Sequence, residues 1–144
     1  MIALFDSGYG GLTIFSSVRH LLPQYDYIYL GDNARTPYGT RSFDVVYRFT
    51  LEAVKTLFGL GAELVILACN TASAKALRTI QQIDLPKIDP RKRVLGIIRP
   101  TVEYLNDITT DTEFITHKIY IISFILHLNK LFENFVTVTF HTHT

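Results

Sequence analysis

The sequence predicts an α/β fold over residues 1–100, with a parallel β-sheet covered by helices on both faces. Two observations lead to this prediction. Short apolar runs alternate with longer segments in which apolar residues recur at helical spacing. Each apolar run is followed by a polar or glycine-rich loop. Strands that alternate with helices in this way form parallel sheets with right-handed crossovers.

The individual elements follow from these runs. Strands are predicted at residues 2–5, 27–30, 63–68 and 94–98. Helices are predicted at residues 12–22, 43–58 and 72–82. Ser42 is expected to cap the second helix, because its hydroxyl can accept a backbone hydrogen bond. The proline-rich and charged stretch LPKIDPRKR is predicted to be a linker between the third helix and the fourth strand.

Composition limits the classes of function. The chain has 144 residues, a net charge of +1 and no cluster of Lys and Arg, so neither nucleic acid nor an anionic membrane is expected as a partner. Its single cysteine is typical of a reducing cytoplasm. The N terminus lacks a signal peptide's basic start, and the longest apolar stretch, residues 119–128, is shorter than a membrane span of about 18 residues. A soluble cytoplasmic protein that binds a small molecule is therefore predicted.

Three polar loops each follow a predicted strand, beginning at Asp6, Gly31 and Cys69. The carboxyl ends of parallel strands meet at one edge of the sheet, and ligands bind beyond that edge. We therefore expect the three loops to converge on a ligand site.

The first loop, DSGYGG, is not a nucleotide motif. A dinucleotide fingerprint would need glycine where Thr13 stands, and no Gly-Lys-Ser/Thr follows. Two interpretations remain. The glycines can simply form a tight turn, or Asp6 and Ser7 can bind a charged polar ligand near a helix N terminus.

Cys69 lies on the turn between the third strand and the helix after it. Free cysteines are often buried and inert, whereas a thiol near a helix N terminus is favoured as a thiolate, which acts as nucleophile or base. Asn70 and Thr71 add donors beside it. In the second loop, GDNARTPYGTR, Pro37 and Gly39 either shape a turn or place the loop against a ligand.

A metal site is not predicted. His141 and His143 alternate near the end of the sequence, but no carboxylate or thiol is spaced to complete a coordination shell with them.

Several sequence blocks occur in a fixed order: DSGYGG from Asp6, YLGDNARTPYGTRS from Tyr29, ACNTASA from Ala68 and LGIIRPTVEYL from Leu95. Together they closely resemble bacterial glutamate racemase, of the aspartate/glutamate racemase family, over residues 2–108. Members of that family are cofactor-independent amino-acid racemases. Two α/β domains enclose the substrate, and two cysteines flank its α-carbon.

The resemblance implies roles for individual residues. Cys69 would be the catalytic cysteine of the first domain, and Asp6 would assist the thiol. Contacts with the substrate, glutamate, are implied for Asp6, Ser7, Tyr38, Gly39, Asn70 and Thr71. No cofactor is implied, and the reaction would supply D-glutamate for peptidoglycan synthesis.

The resemblance also implies that part of the family's architecture is missing. Racemisation removes a proton from one face of the α-carbon and returns one to the other, yet the family's second cysteine, in a Cys-Thr-His stretch, is not found. Residues 101–109 are expected to begin a second domain that is largely missing. Residues 110–144, rich in Ile, Thr and Phe, are expected to be an unrelated or frameshifted tail.

Two alternatives to an active glutamate racemase stay open. One is a truncated, non-catalytic fragment that binds an amino acid weakly. The other is an aspartate-type racemase, which CNTASA and PYGTRS disfavour. A homodimer is also open, although placing a second Cys69 opposite the first would require the substrate contacts to be mirrored.

Overall fold

A computed structural model of the protein describes residues 1–98. These residues form a four-stranded, fully parallel sheet in the order β2-β1-β3-β4. The strands are β1 (Ile2–Asp6), β2 (Tyr27–Gly31), β3 (Leu64–Leu67) and β4 (Arg93–Gly96). Each lies within two residues of its predicted position at either end. The predicted α/β class with a parallel sheet is confirmed.

The helices connect successive strands. They are α1 (Gly11–Leu21), α2 (Phe43–Gly59), α3 (Asn70–Lys75), α4 (Leu77–Thr79), a π-helical turn (Ile80–Asp84) and α5 (Leu85–Ile88). Ser42 caps α2 as predicted, since its Oγ accepts from the Val45 N–H at 3.4 Å. The linker prediction was wrong for residues 85–88. Pro86 lies in the first turn of α5, which continues directly from the π-helical turn Ile80–Asp84.

Both faces of the sheet are covered. Residues in register on parallel strands point to the same face, and Leu4 is in register with Tyr29. On this face Phe15 of α1 packs against Tyr27 and Tyr29, with ring centroids 5.9 and 5.7 Å apart. The alternate strand residues face the other side, where they form a buried core with residues of α2, α3 and the π-helical turn. This core includes Ala3, Phe5, Val65, Leu67, Val54, Leu57, Ala72 and Ile80.

No helix among residues 1–98 is long and apolar enough to cross a membrane. The predicted boundaries at residues 100 and 109 and the predicted tail at 110–144 lie outside the described residues.

Candidate active site

The polar loops converge at the carboxyl edge of the sheet, as the topology requires. β1 ends at Asp6, β2 ends at Gly31 beside it, and Cys69 follows β3 on the other side. Backbone hydrogen bonds join these strand ends, because the Asp32 N–H donates to the Asp6 carbonyl at 2.9 Å and the Ala68 N–H donates to the Phe5 carbonyl at 2.8 Å. The ends of three neighbouring strands thus form one surface.

Cys69 is the N-cap of α3, and it is 5% exposed. Its Sγ accepts a hydrogen bond from the Ala72 N–H at 3.4 Å and lies 3.2 Å from the Ser7 Oγ. Two polar groups therefore hold the sulfur at the strand end. Both can donate to a thiolate, and hydrogen bonds to an ionised acceptor are stronger than those to a neutral one.

Asp6 is buried at the end of β1, next to the start of α1. Its Oδ2 accepts from the Gly11 N–H at 2.9 Å. Gly11 allows this close approach, since a Cβ there would come within 2.9 Å of the Asp6 Cβ and 3.0 Å of the Ala68 Cβ. A side chain at position 11 would therefore push α1 away from the strand ends.

Tyr29 projects from β2 toward the same edge. Its hydroxyl donates to the Gly8 carbonyl at 3.1 Å. Burial, and then the nearby Asp6 carboxylate and Cys69, raise the pKa of Tyr29 to about 12. The phenol therefore stays a hydrogen-bond donor to a higher pH than an ordinary tyrosine does.

Tyr38 supports the second loop from inside. Its ring is 1% exposed and packs between Phe5 and Phe49, with centroids 6.2 and 5.9 Å away. Its hydroxyl donates to Asp32 Oδ2 at 2.5 Å. Burial, and then the hydrogen bond to Asp32 and the Asp32 charge, raise the pKa of Tyr38. The family resemblance implied a substrate contact at Tyr38, and the structure places its side chain in the core.

The arginines of the second loop brace the loop itself. Arg35 forms ion pairs with Asp32 at 2.6 Å and Glu52 at 2.9 Å, and its guanidinium lies 4.3 Å from the centre of the Phe49 ring. Arg41 donates to the Arg35 carbonyl from two nitrogens, at 3.0 and 2.7 Å. The alternation of arginines and aromatic residues in the sequence could have predicted this stacking.

Lys75 joins the second loop to the helix that Cys69 caps. Its Nζ donates to the carbonyls of Arg41 at 2.8 Å and Gly39 at 3.5 Å. Gly39 and Asn70 are exposed and Thr71 is partly exposed, so these predicted contacts face outward near the edge. Sequence reasoning did not single out Lys75, Asp32 or Tyr29, because no local pattern marks such contacts.

Residues 1–98 contain no group of three or more His, Cys, Asp and Glu side chains arranged to hold a metal ion. The polar groups at the edge are a thiol, hydroxyls, a carboxylate and backbone amides. These groups suit acid–base chemistry on a small polar ligand.

The raised pKa of Tyr29 makes a prediction for alkaline stability. Tyrosine in an unfolded chain ionises near pH 10, whereas folded Tyr29 keeps its proton to about 12. The unfolded state then binds fewer protons, so this group's contribution to stability is present below pH 10 and is lost as the pH rises toward 12. In denaturant titrations, Tyr29→Phe should reduce the fall in stability over this range. Tyr9→Phe, at a ring that is 72% exposed, should leave the fall unchanged.

Comparisons with known proteins find similar sequences and structures, although no family model matches the chain. The glutamate racemase of Jannaschia sp. is 50% identical over 106 residues, which are 74% of this chain and 38% of that protein. The glutamate racemase of Paracoccus denitrificans is 48% identical over the same shares.

Solved structures give the same result. The glutamate racemase of Aquifex pyrophilus is 36% identical with a TM-score of 0.67, over 92% of this chain and 50% of that one. The enzyme of Francisella tularensis in complex with D-glutamate is 33% identical with a TM-score of 0.67, over 90% and 47%. That of Thermus thermophilus with β-chloro-D-alanine is 36% identical with a TM-score of 0.65, over 72% and 38%.

The parallel sheet and these comparisons make the matched region similar to part of an amino-acid racemase. The proteins it is similar to are glutamate racemases, as the sequence resemblance indicated. The chain spans about two fifths, 38%, of the length of the curated relatives that it matches.

Proposed function

We propose that this chain contributes the Cys69 half of a glutamate racemase site, in which the thiol or thiolate transfers a proton at the α-carbon of glutamate. The observation that supports this most is the sulfur's position. It is held between the Ser7 hydroxyl and the Ala72 N–H at the carboxyl edge of the sheet. The α-proton of an amino acid is weakly acidic, so a base fixed beside it, in a site that limits water, is the main requirement.

Substrate contacts are proposed for residues around the sulfur. Ser7 is partly exposed, and Asn70 and Thr71 flank Cys69 in the sequence. Tyr38 has a buried side chain, so we assign its contact and that of Gly39 to backbone groups. Asp6 accepts from the Gly11 N–H and lies near Tyr29, and we propose that its carboxylate assists proton transfer at Cys69.

Glutamate is the proposed substrate because relatives were solved with it. The Escherichia coli enzyme is described in complex with L-glutamate, and the Francisella tularensis enzyme with D-glutamate. The product, D-glutamate, would then supply peptidoglycan synthesis in the cytoplasm. No cofactor is needed for such a proton transfer.

The opposite face of the α-carbon needs a second acid–base group. Cys69 is the sole cysteine of the sequence, so that group is either a different type of residue or belongs to a polypeptide segment outside this sequence or to a second copy. Proton exchange on one face and inversion are thus separable activities of this protein.

Protection of Cys69 from alkylation tests the proposed site. Because the chain has one cysteine, the rate of its reaction with iodoacetamide reports on this sulfur alone. L-Glutamate and D-glutamate should slow alkylation at concentrations at which L-lysine does not. Thr71→Val should weaken the protection, whereas Thr79→Val on α4 should not.

Two outcomes would contradict the proposal. Equal alkylation rates with and without glutamate would show that no such ligand covers the sulfur. Stronger protection by aspartate than by glutamate would favour the aspartate-type alternative.

A further inference from the structure

The Tyr29 hydroxyl lies where the end of β1 meets the start of α1. It donates to the Gly8 carbonyl at 3.1 Å, and the Asp6 carboxylate is near enough to help raise its pKa. Gly11 packs directly against it, since a Cβ there would come within 3.1 Å of the phenol oxygen. Strand β2 thus holds the short segment 6–8 from the side.

Ser7 lies between Asp6, whose carboxylate is held by the Gly11 N–H, and Gly8, whose carbonyl is held by the Tyr29 phenol. Holding the residues on both sides limits the backbone rotations that could move the Ser7 hydroxyl. That hydroxyl lies 3.2 Å from the Cys69 sulfur. We propose that Tyr29 is a positioning residue, whose hydroxyl fixes segment 6–8 so that Ser7 hydrogen-bonds Cys69. The importance of Tyr29 for catalysis rests on the proposed function, whereas the contacts themselves are seen directly in the structure.

The phenol has a single proton, which it donates to the Gly8 carbonyl, and this bond does not depend on any other group's charge. The charged or titratable groups that act on the phenol are Asp6 and Cys69, and Phe15 of α1 packs on its ring.

Tyr27 offers a matched control two residues away on the same strand. Its ring packs on the same Phe15 ring, at 5.9 Å, but its hydroxyl donates to the Leu22 carbonyl at 2.7 Å, at the opposite end of α1. Tyr27→Phe and Tyr29→Phe thus each remove one partly buried phenol hydroxyl. Only Tyr29→Phe removes the hold on segment 6–8.

The test measures iodoacetamide alkylation of Cys69 against pH in the full 144-residue chain. The set comprises the wild type, Ser7→Ala, Tyr29→Phe, Tyr27→Phe and the two tyrosine variants combined with Ser7→Ala. Loss of the Ser7 hydroxyl should move the midpoint of the alkylation profile upward by about one pH unit, as expected for one lost hydrogen bond to a thiolate. Tyr29→Phe should move it in the same direction, and Tyr27→Phe should leave it in place.

The double variants separate positioning from stability. Tyr29→Phe combined with Ser7→Ala should match Ser7→Ala alone, since Tyr29 acts through Ser7. A wild-type profile for Tyr29→Phe, or additive shifts in the double variant, would overturn the proposal. Absence of a shift in Ser7→Ala would overturn it as well. Failure of glutamate to protect Cys69, with the coupling intact, would contradict the proposed function and leave this inference in place.

Discussion

Replacing Cys69 with serine is expected to reduce exchange of the α-proton of glutamate by at least about a thousandfold, near the upper range for loss of a general acid–base group. A serine hydroxyl is a far weaker acid than a thiol, so it rarely forms the anion that removes the proton. Serine is also a favoured N-cap residue and can accept from the Ala72 N–H in place of the sulfur. The fold should therefore survive, and the loss should be chemical. Deuterium incorporation at the α-carbon in D₂O, followed by NMR, measures it.

A serine on the first helix is the control for this substitution. Ser17 donates only locally, to the Thr13 carbonyl at 3.1 Å on the exposed side of α1. Ser17→Ala should exchange the α-proton at the wild-type rate. Exchange by Cys69→Ser at that same rate would show that a group other than the thiol moves the proton.

Gly11→Ala is expected to destabilise the domain by about 2–3 kcal/mol and to disturb the site at the same time. The added Cβ would meet the Cβ atoms of Asp6 and Ala68 at 2.9 and 3.0 Å, and both are fixed by the ends of buried strands. Neither can rotate away, so α1 has to shift. That shift would lengthen the 2.9 Å hydrogen bond from the Gly11 N–H to Asp6. Urea denaturation measures the loss of stability.

The neighbouring glycine makes the comparison specific. A Cβ at Gly10 would find its nearest atom, Asp6 Oδ2, at 3.8 Å, which is ordinary contact. Gly10→Ala should therefore change the free energy of unfolding by less than about 1 kcal/mol. Equal effects of the two substitutions would mean that close packing of α1 on the strand ends is not what requires glycine at position 11.

Much of this arrangement could be predicted from the sequence because it depends on local patterns. Apolar runs bounded by polar residues define the strands, and parallel topology then brings the residues after each strand to one edge. Asp6 and Cys69 were placed together in this way, and the structure brings them near the same Tyr29 hydroxyl. The roles assigned to the site residues stay predictions until the experiments above are done.

The rest depends on contacts between distant residues, which local patterns do not report. Lys75 reaches the Arg41 carbonyl, 34 positions away, and Tyr29 reaches Gly8, 21 positions away. Tyr38 lies in a polar loop sequence, yet its ring is buried, because Phe5 and Phe49 offer it an apolar surface and Asp32 accepts its hydrogen bond. The helix through residues 85–88 was missed because proline usually indicates a break, whereas here α5 continues directly from the π-helical turn before it.

The most direct test of the central claim follows L-glutamate in D₂O with the full chain and monitors two signals, α-deuterium in L-glutamate and formation of D-glutamate. We expect deuterium to enter L-glutamate and its incorporation to stop when Cys69 is alkylated. D-Glutamate should form more slowly than deuterium enters, since Cys69 serves one face of the α-carbon. Absence of deuterium incorporation, or incorporation that continues unchanged after alkylation of Cys69, would contradict the assignment of this thiol as the proton-transferring group.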